Sequence, residues 1–234
     1  TYYFAAAVAL GSPHRKVSFA VPTGNFGDIF AGYVAKRMGL PVDRLTVASN
    51  ANDILPRTMA SGVYEKRGVV ATTSPSMDIQ VSSNFERYLF EAQSRDAALI
   101  RGQMASLAQS GRFEVSGGPQ RLAQDFAAGS ASEAEVADCI RETLASSGYQ
   151  LEPHTACGLI ASRKQSPSPG TPEIVLATAH PAKFTEAMTE ITQKPAPLPD
   201  RLAHLLTEPE RVTVLANEVG AVQTYIRDTA RAAR

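Results

Sequence analysis

Residues 20–30 read AVPTGNFGDIF, a loop of small and polar residues between an apolar run and the start of a helix. That pattern can bind an anion. Glycine reaches positive φ without steric cost, so Gly24 and Gly27 can turn successive backbone N–H groups toward one point. A helix beginning near Asp28 adds its own unpaired N–H groups and the positive end of its dipole, which makes phosphate the natural guest. The Thr23 hydroxyl and the Asn25 amide offer further donors. Asp28 would repel a phosphate, and its natural place is the first turn of the helix, where the dipole stabilises a carboxylate. A tight turn holding no ligand would use the same glycines, and neither GxGxxG nor GxxxxGK[ST] fits the loop.

The elements that must position this loop follow from apolar spacing. Val17 to Val21 reads as a strand, and Gly27 to Met38 carries Ile29, Phe30, Tyr33, Val34 and Met38 close to helical spacing before Gly39-Leu-Pro stops it. Arg44 to Ala48 is a second strand and completes a βαβ unit, which crosses over right-handed into a parallel sheet. Asn50-Ala-Asn-Asp supplies side-chain oxygens to cap a helix over ILPRTMASG. Gly68 to Thr73 (GVVATT) reads as a third strand, Val81 to Ala92 and Asp96 to Gln109 as helices, and Phe113 to Gly118 as a short strand and turn. A helix over Glu133 to Ser146 takes Ser132 or Ser130 as its cap and Gly148 as its stop. Pro153 opens another helix, SPSPGTP at 166–172 is a surface loop, Ile174 to Ala177 is a buried strand, and Asn217 to Arg231 is a closing helix. Strands alternating with helices make the fold α/β, with a largely parallel sheet flanked by helices.

Composition narrows the function classes. The 234 residues carry 23 Lys+Arg against 23 Asp+Glu, and without a basic stripe the footprint of a nucleic-acid binder is missing. No apolar run approaches the roughly 20 residues of a membrane span. The opening TYYFAAAVALG lacks the basic flank of a signal peptide and reads as a helix entered partway, as in a fragment. Cys139 and Cys157 suit core thiols in a reducing compartment, and no Cys/His spacing suggests a metal site. His154 and His180 each flank a proline at a helix start, where capping and packing compete with a proton-shuttle role.

Three segments in order, VPTGNFGDIFAGYVAKRMGLP, SPSMDIQVSSNFERYLF and ATAHPAKF, resemble the threonine synthases of the bacterial and fungal type, and the similarity runs from Tyr2 to Phe184. These are pyridoxal 5'-phosphate enzymes of the tryptophan-synthase-β, or type II, fold. The resemblance implies conversion of O-phospho-L-homoserine and water to L-threonine and phosphate, in the cytoplasm, as the last step of threonine biosynthesis. It implies that Gly24, Asn25, Phe26, Gly27 and Asp28 receive the cofactor phosphate and that Thr178 bonds the pyridine nitrogen. A hydroxyl there leaves the ring nitrogen neutral or weakly polarised, and a strand end is where ligands of parallel sheets gather. It also implies that the Schiff-base lysine lies in a missing amino-terminal half, so that no catalytic residue is in this chain and the chain alone is inactive.

Of Lys16, Lys36, Lys66, Lys164, Lys183 and Lys194, only Lys183 follows a segment near the implied site, and nothing marks it for nucleophilic work. It reads as a helix-start or substrate-anion residue. With Ser83, Asn84 and Arg87 it forms the expected substrate side, an arginine with hydroxyls being suited to clamp a phosphate or carboxylate. A solvated or domain-facing helix side is the favoured reading of Asn84 and Arg87. The implied domains are a cofactor-phosphate-binding domain at 1–192, with a helical insertion at about 94–150, and a helical extension at 193–234. A threonine-synthase-like phospho-lyase of the same fold and a non-catalytic phosphate-binding fragment remain alternatives.

Overall fold

The computed structural model describes residues 1–166 and 168–231. It contains two compact units, Thr1–Pro197 and Leu198–Arg234. In the first, α1 (Tyr2–Ala9) leads to β1 (Val17–Pro22), α2 (Gly27–Arg37) and β2 (Val42–Ser49). The expected βαβ unit is there, with β1 and β2 parallel and Phe19 opposite Leu45. Every residue of β1 is buried, because it runs in the interior of a four-stranded sheet. The sheet order is β5, β2, β1, β6, all parallel, with β5 at Ala127–Ser130 and β6 at Glu173–Val175. β6 is shorter and less buried than the sequence implies, since it lies at the edge beside β1, and the Leu176 N–H continues the pairing to the Ala20 carbonyl. β5 has the sequence AAGS, too small and too polar to announce itself as a strand.

The remaining elements of this unit are α3 (Ile54–Ser61), β3 (Val63–Glu65), α4 (Phe85–Ala92), α5 (Ala97–Ser110), β4 (Arg112–Glu114), α6 (Gly118–Ala123), α7 (Glu133–Ser147), α8 (Pro153–Arg163) and α9 (Thr185–Thr192). β3 and β4 form an antiparallel pair in which Tyr64 stacks on Phe113. α8 packs across β1, β2 and β5. Pro167, within the expected surface loop at 166–172, lies outside the described residues. The second unit holds a 3-10 turn at Asp200–Leu206 and α10 (Val219–Thr229), within the expected closing helix. Among the described residues no helix is long and apolar enough to cross a membrane.

Two expectations from the sequence need correction. GVVATT is not a strand. Its N–H groups go to side chains instead of a neighbouring strand: Val70 to Asn52 Oδ1 and Thr72 to Asp78 Oδ2, each within 2.9 Å, and Thr73 to Glu133 Oε2. Val69 and Val70 stay 56% exposed, so no sheet gains their apolar surface. Nor do Asn50 and Asn52 cap α3. Asp53 is its N-cap without a side-chain bond, and its carboxylate takes Arg57 at 2.8 Å. Asn50 and Asn52 belong to a buried network with Thr72, Ser74 and Asp78 that ties the segment after β3 to the end of β2.

The cap on α7 is as the sequence implies. Ser132 accepts the Glu135 N–H while the Glu135 carboxylate accepts the Ser132 N–H, and Gly148 closes the helix with φ 72°. Ser132→Ala should therefore cost about 1 kcal/mol in chemical denaturation of the intact protein. An unchanged midpoint would mean the box adds nothing.

Candidate active site

The loop after β1 sits at the carboxyl end of an interior strand, and its backbone differs from the sequence reading in one respect. Neither Gly24 nor Gly27 has positive φ; the left-handed residue is Phe26, at φ 62°. A bulky residue holds that conformation because its side chain is fixed by burial. Phe26 is 1% exposed and sits edge-on to Phe85 and Phe126, at 5.1 and 5.3 Å between centroids. The left-handed backbone lets Phe26 point into the core while the N–H groups around it face outward.

The glycines serve closeness instead. A Cβ on Gly24 would lie 2.8 Å from the Ser76 carbonyl oxygen and 3.2 Å from Met77 Cα, and one on Gly27 would meet Asn84 Nδ2 at 3.3 Å. A brace behind the loop explains these approaches. Ser82 Oγ donates to the Gly24 carbonyl at 2.7 Å. Asn84 donates to the Asn25 carbonyl through both N and Nδ2, and Ser83 Oγ donates to Asn25 Oδ1. Tyr64, stacked on Phe85, accepts the Ser82 N–H at 2.7 Å.

The brace takes the carbonyls of Gly24 and Asn25, and the Phe26 carbonyl accepts the Phe30 N–H. The backbone N–H groups of Gly24, Asn25, Phe26, Gly27 and Asp28 meet no acceptor among the described residues. Consecutive free donors at the N-terminus of an 11-residue helix form an anion cradle. The Thr23 hydroxyl is not among its donors, because it is buried and donates to the Val21 carbonyl at 2.6 Å.

Asp28 stands in the first turn of α2, and Tyr3 of α1 donates to both its carboxylate and its carbonyl, at 3.0 and 2.9 Å. Burial pushes the carboxyl above its ordinary range, and the Tyr3 bond partly opposes that rise. Asp28 and Thr178 line a cleft of about 600 Å³ with Tyr2, Ala5, Ala6 and Leu176. Thr178 also lines a smaller pocket of about 160 Å³, walled by Gly24, Ser76, His154, Lys183 and Phe184 among others. Loop and Thr178 therefore border one site. Arg87 is exposed on α4, and its guanidinium has no acidic partner among the described residues. Lys183 lies in the 3-10 turn Pro181–Phe184, its ammonium 5.9 Å from the Phe184 ring.

The two histidines separate. His180 caps the 3-10 turn by accepting the Ala182 N–H. His154 caps nothing; the N-cap of α8 is Glu152, a buried carboxylate that the sequence reading overlooked. Glu152 accepts from the His154 N–H, the Thr155 N–H and the Thr155 hydroxyl, and meets His154 Nδ1 at 2.7 Å. Burial alone would raise the Glu152 carboxyl, but the bonds from His154 and Thr155 outweigh it and hold the group below its ordinary range. A carboxyl lowered by folding adds stability above its unfolded pKa, near 4.5, and loses that contribution as pH falls toward the folded value. The thermal midpoint should thus drop between about pH 5 and pH 3, and Glu152→Gln should flatten that decline. Equal slopes in both proteins would refute the assignment.

Cys139 and Cys157 are free and buried, and burial pushes the Cys157 thiol up to about 12, so it is inert as a nucleophile. Among the described residues no three His, Cys, Asp or Glu side chains gather to hold a metal ion.

Residues 155–226 match the family model described as "Threonine synthase, C-terminal". The chain is 47% identical over 230 residues to threonine synthase of Pseudomonas aeruginosa, a match covering 96% of this chain and 48% of that protein. It superposes with a TM-score of 0.89 on the crystal structure of pyridoxal-phosphate-bound threonine synthase from Brucella melitensis, at 54% identity, covering 98% of this chain and 50% of that one. Yeast threonine synthase gives a TM-score of 0.82 at 34% identity, with 97% and 50% covered. The chain spans about half the length of the relatives it matches.

Proposed function

The chain belongs to the threonine synthase family, and on that premise we propose that the intact protein converts O-phospho-L-homoserine and water to L-threonine and phosphate with pyridoxal 5'-phosphate, as a lyase of cytoplasmic threonine biosynthesis. The observation that carries this reading is the run of free N–H groups from Gly24 to Asp28 at the start of α2, with the Thr178 hydroxyl bordering the same site. These residues fit the cofactor. The N–H groups of Gly24, Asn25, Phe26, Gly27 and Asp28 would take its phosphate, and Thr178 would take the ring nitrogen. When bound, the cofactor supplies an electron sink that stabilises negative charge developing on the substrate.

This chain's own residues do the holding. The helix N-terminus neutralises phosphate charge without a lysine or arginine. Ser82 and Asn84 fix the cradle from behind, so little reorganisation is needed when an anion arrives. Arg87 and Lys183 would supply the substrate side and pair with the substrate's phosphate and carboxylate, while Ser83 and Asn84, expected there, brace the loop instead. Lys183 borders the pocket that it shares with Gly24, and the cofactor's anchoring lysine is expected in the part of the intact enzyme that this chain does not span.

The test is to supply the intact protein with the cofactor and O-phosphohomoserine and to measure both products. Threonine and phosphate in equal amounts are expected. Phosphate without threonine would indicate a phospho-lyase of the same fold, and neither product a phosphate-binding protein; both results overturn the reading.

A further inference from the structure

Among the buried polar atoms without a partner is a histidine nitrogen beside the site. His154 is 4% exposed, and its Nε2 meets no hydrogen-bond partner among the described residues. The ring packs against Phe184 at 4.9 Å and forms part of the wall of the 160 Å³ pocket that also holds Gly24, Thr178 and Lys183. A histidine serving only to pack would have no reason to keep a bare nitrogen beside a polar pocket, since an unmet polar atom costs about 1–3 kcal/mol.

The partner at Nδ1 decides what Nε2 can do. Each oxygen of Glu152 receives two groups: Oε2 the His154 N–H and Nδ1, Oε1 the Thr155 N–H and hydroxyl. A carboxylate so fully supplied is ionised and acceptor-only, so Nδ1 must carry the proton. The neutral ring then keeps its lone pair on Nε2, buried in the wall of the pocket. This is the arrangement by which a carboxylate orients an imidazole and stabilises its protonated form.

We propose that His154, oriented by Glu152, is the proton acceptor of this site. The proposal rests on the functional reading above for the identity of the reaction, though not for the tautomer. Nε2 takes a proton from an O–H or N–H group of the guest, or from a water held in the pocket. The N–H bond forms as the donor's bond to hydrogen breaks, the Glu152 carboxylate balances the imidazolium charge and stays ionised, and the reverse step returns the proton. The other charged or titratable groups about the ring are Lys183, from the turn after Thr178, Cys157, one turn along α8, and Glu133 of α7 near Cys157.

Two measurements on the intact protein test this. The first is nitrogen NMR of histidine-labelled protein without substrate: at neutral pH His154 should show a protonated Nδ1 and an unprotonated Nε2. Glu152→Gln should weaken that preference, since an amide can also donate to Nδ1. The second is kinetic: His154→Asn keeps a donor toward Glu152 but lacks the basic nitrogen. It should lower kcat about 100-fold with KM changed by less than about threefold. A proton on Nε2 at neutral pH, or a folded His154→Asn enzyme with unaltered kcat, would overturn the proposal and leave a packing residue. If His154→Asn fails to fold, the tautomer and its response to Glu152→Gln decide. Failure of the wild-type protein to form threonine would sink the functional reading while leaving the tautomer result standing.

Discussion

Phe26→Ala is expected to destabilise the intact protein by about 3–5 kcal/mol, the range for emptying a fully buried aromatic site. Phe26 is 1% exposed and touches three aromatic rings, those of Phe85, Tyr88 and Phe126, so little can collapse into the space without disturbing α4. The cradle should suffer with the core. The side chain is what holds a left-handed backbone that non-glycine residues avoid at a cost of about 1–2 kcal/mol. Phe26→Gly should therefore be no less stable than Phe26→Ala, although it removes one carbon more, because glycine relieves the backbone. Chemical denaturation of the three proteins checks both points. A loss below about 1 kcal/mol for Phe26→Ala would show that the ring does not anchor the loop.

Gly24→Ala should damage function more than stability. The added methyl meets the Ser76 carbonyl oxygen at 2.8 Å and Met77 Cα at 3.2 Å, both backbone atoms that cannot swing aside as a side-chain end can. The loop must shift outward, which lengthens the Ser82 bond to the Gly24 carbonyl and splays the N–H groups. Misplacement of a binding group by about 1 Å costs on the order of 100-fold in rate, and kcat/KM should fall by about that factor, with weaker cofactor retention. Titration of the cofactor-free protein with pyridoxal phosphate and steady-state assay of both proteins provide the comparison. Values within threefold of wild type would mean that this approach is not what shapes the cradle.

Much of this architecture was legible in the sequence because local chemistry and global fold agree. The βαβ unit around the loop shows an apolar run, then helical spacing, then a second run, and the structure pairs β1 with β2 in parallel. Ser132 with Glu135 and Gly148 announces α7 at both ends. The readings that failed are those in which a distant partner outweighs local preference. GVVATT has strand composition, but its N–H groups are claimed by Asn52, Asp78 and Glu133, two of which lie outside the segment's own neighbourhood. AAGS has no strand composition and becomes β5 because β2 offers it an open edge.

The loop shows the same division more finely. Its position between a strand and a helix was readable. The division of labour was not. Positive φ falls on Phe26, which needs the aromatic cluster from α4 and Phe126 to hold it, and no local rule assigns a left-handed backbone to phenylalanine. Asn84 was placed near the site by the resemblance, but only the fold shows that it and Ser82 grip the loop's carbonyls. Glu152 left one overlooked signal: an acidic residue directly before Pro153 at a helix start is a standard capping position, and that could have marked it.

The measurement that bears most directly on the central claim is a crystal structure of the intact protein grown with pyridoxal phosphate. The account expects phosphate oxygens within about 3 Å of the N–H groups of residues 24–28 and the ring nitrogen beside the Thr178 hydroxyl. A cofactor seated elsewhere, with the 24–28 loop contacting only solvent, would contradict it.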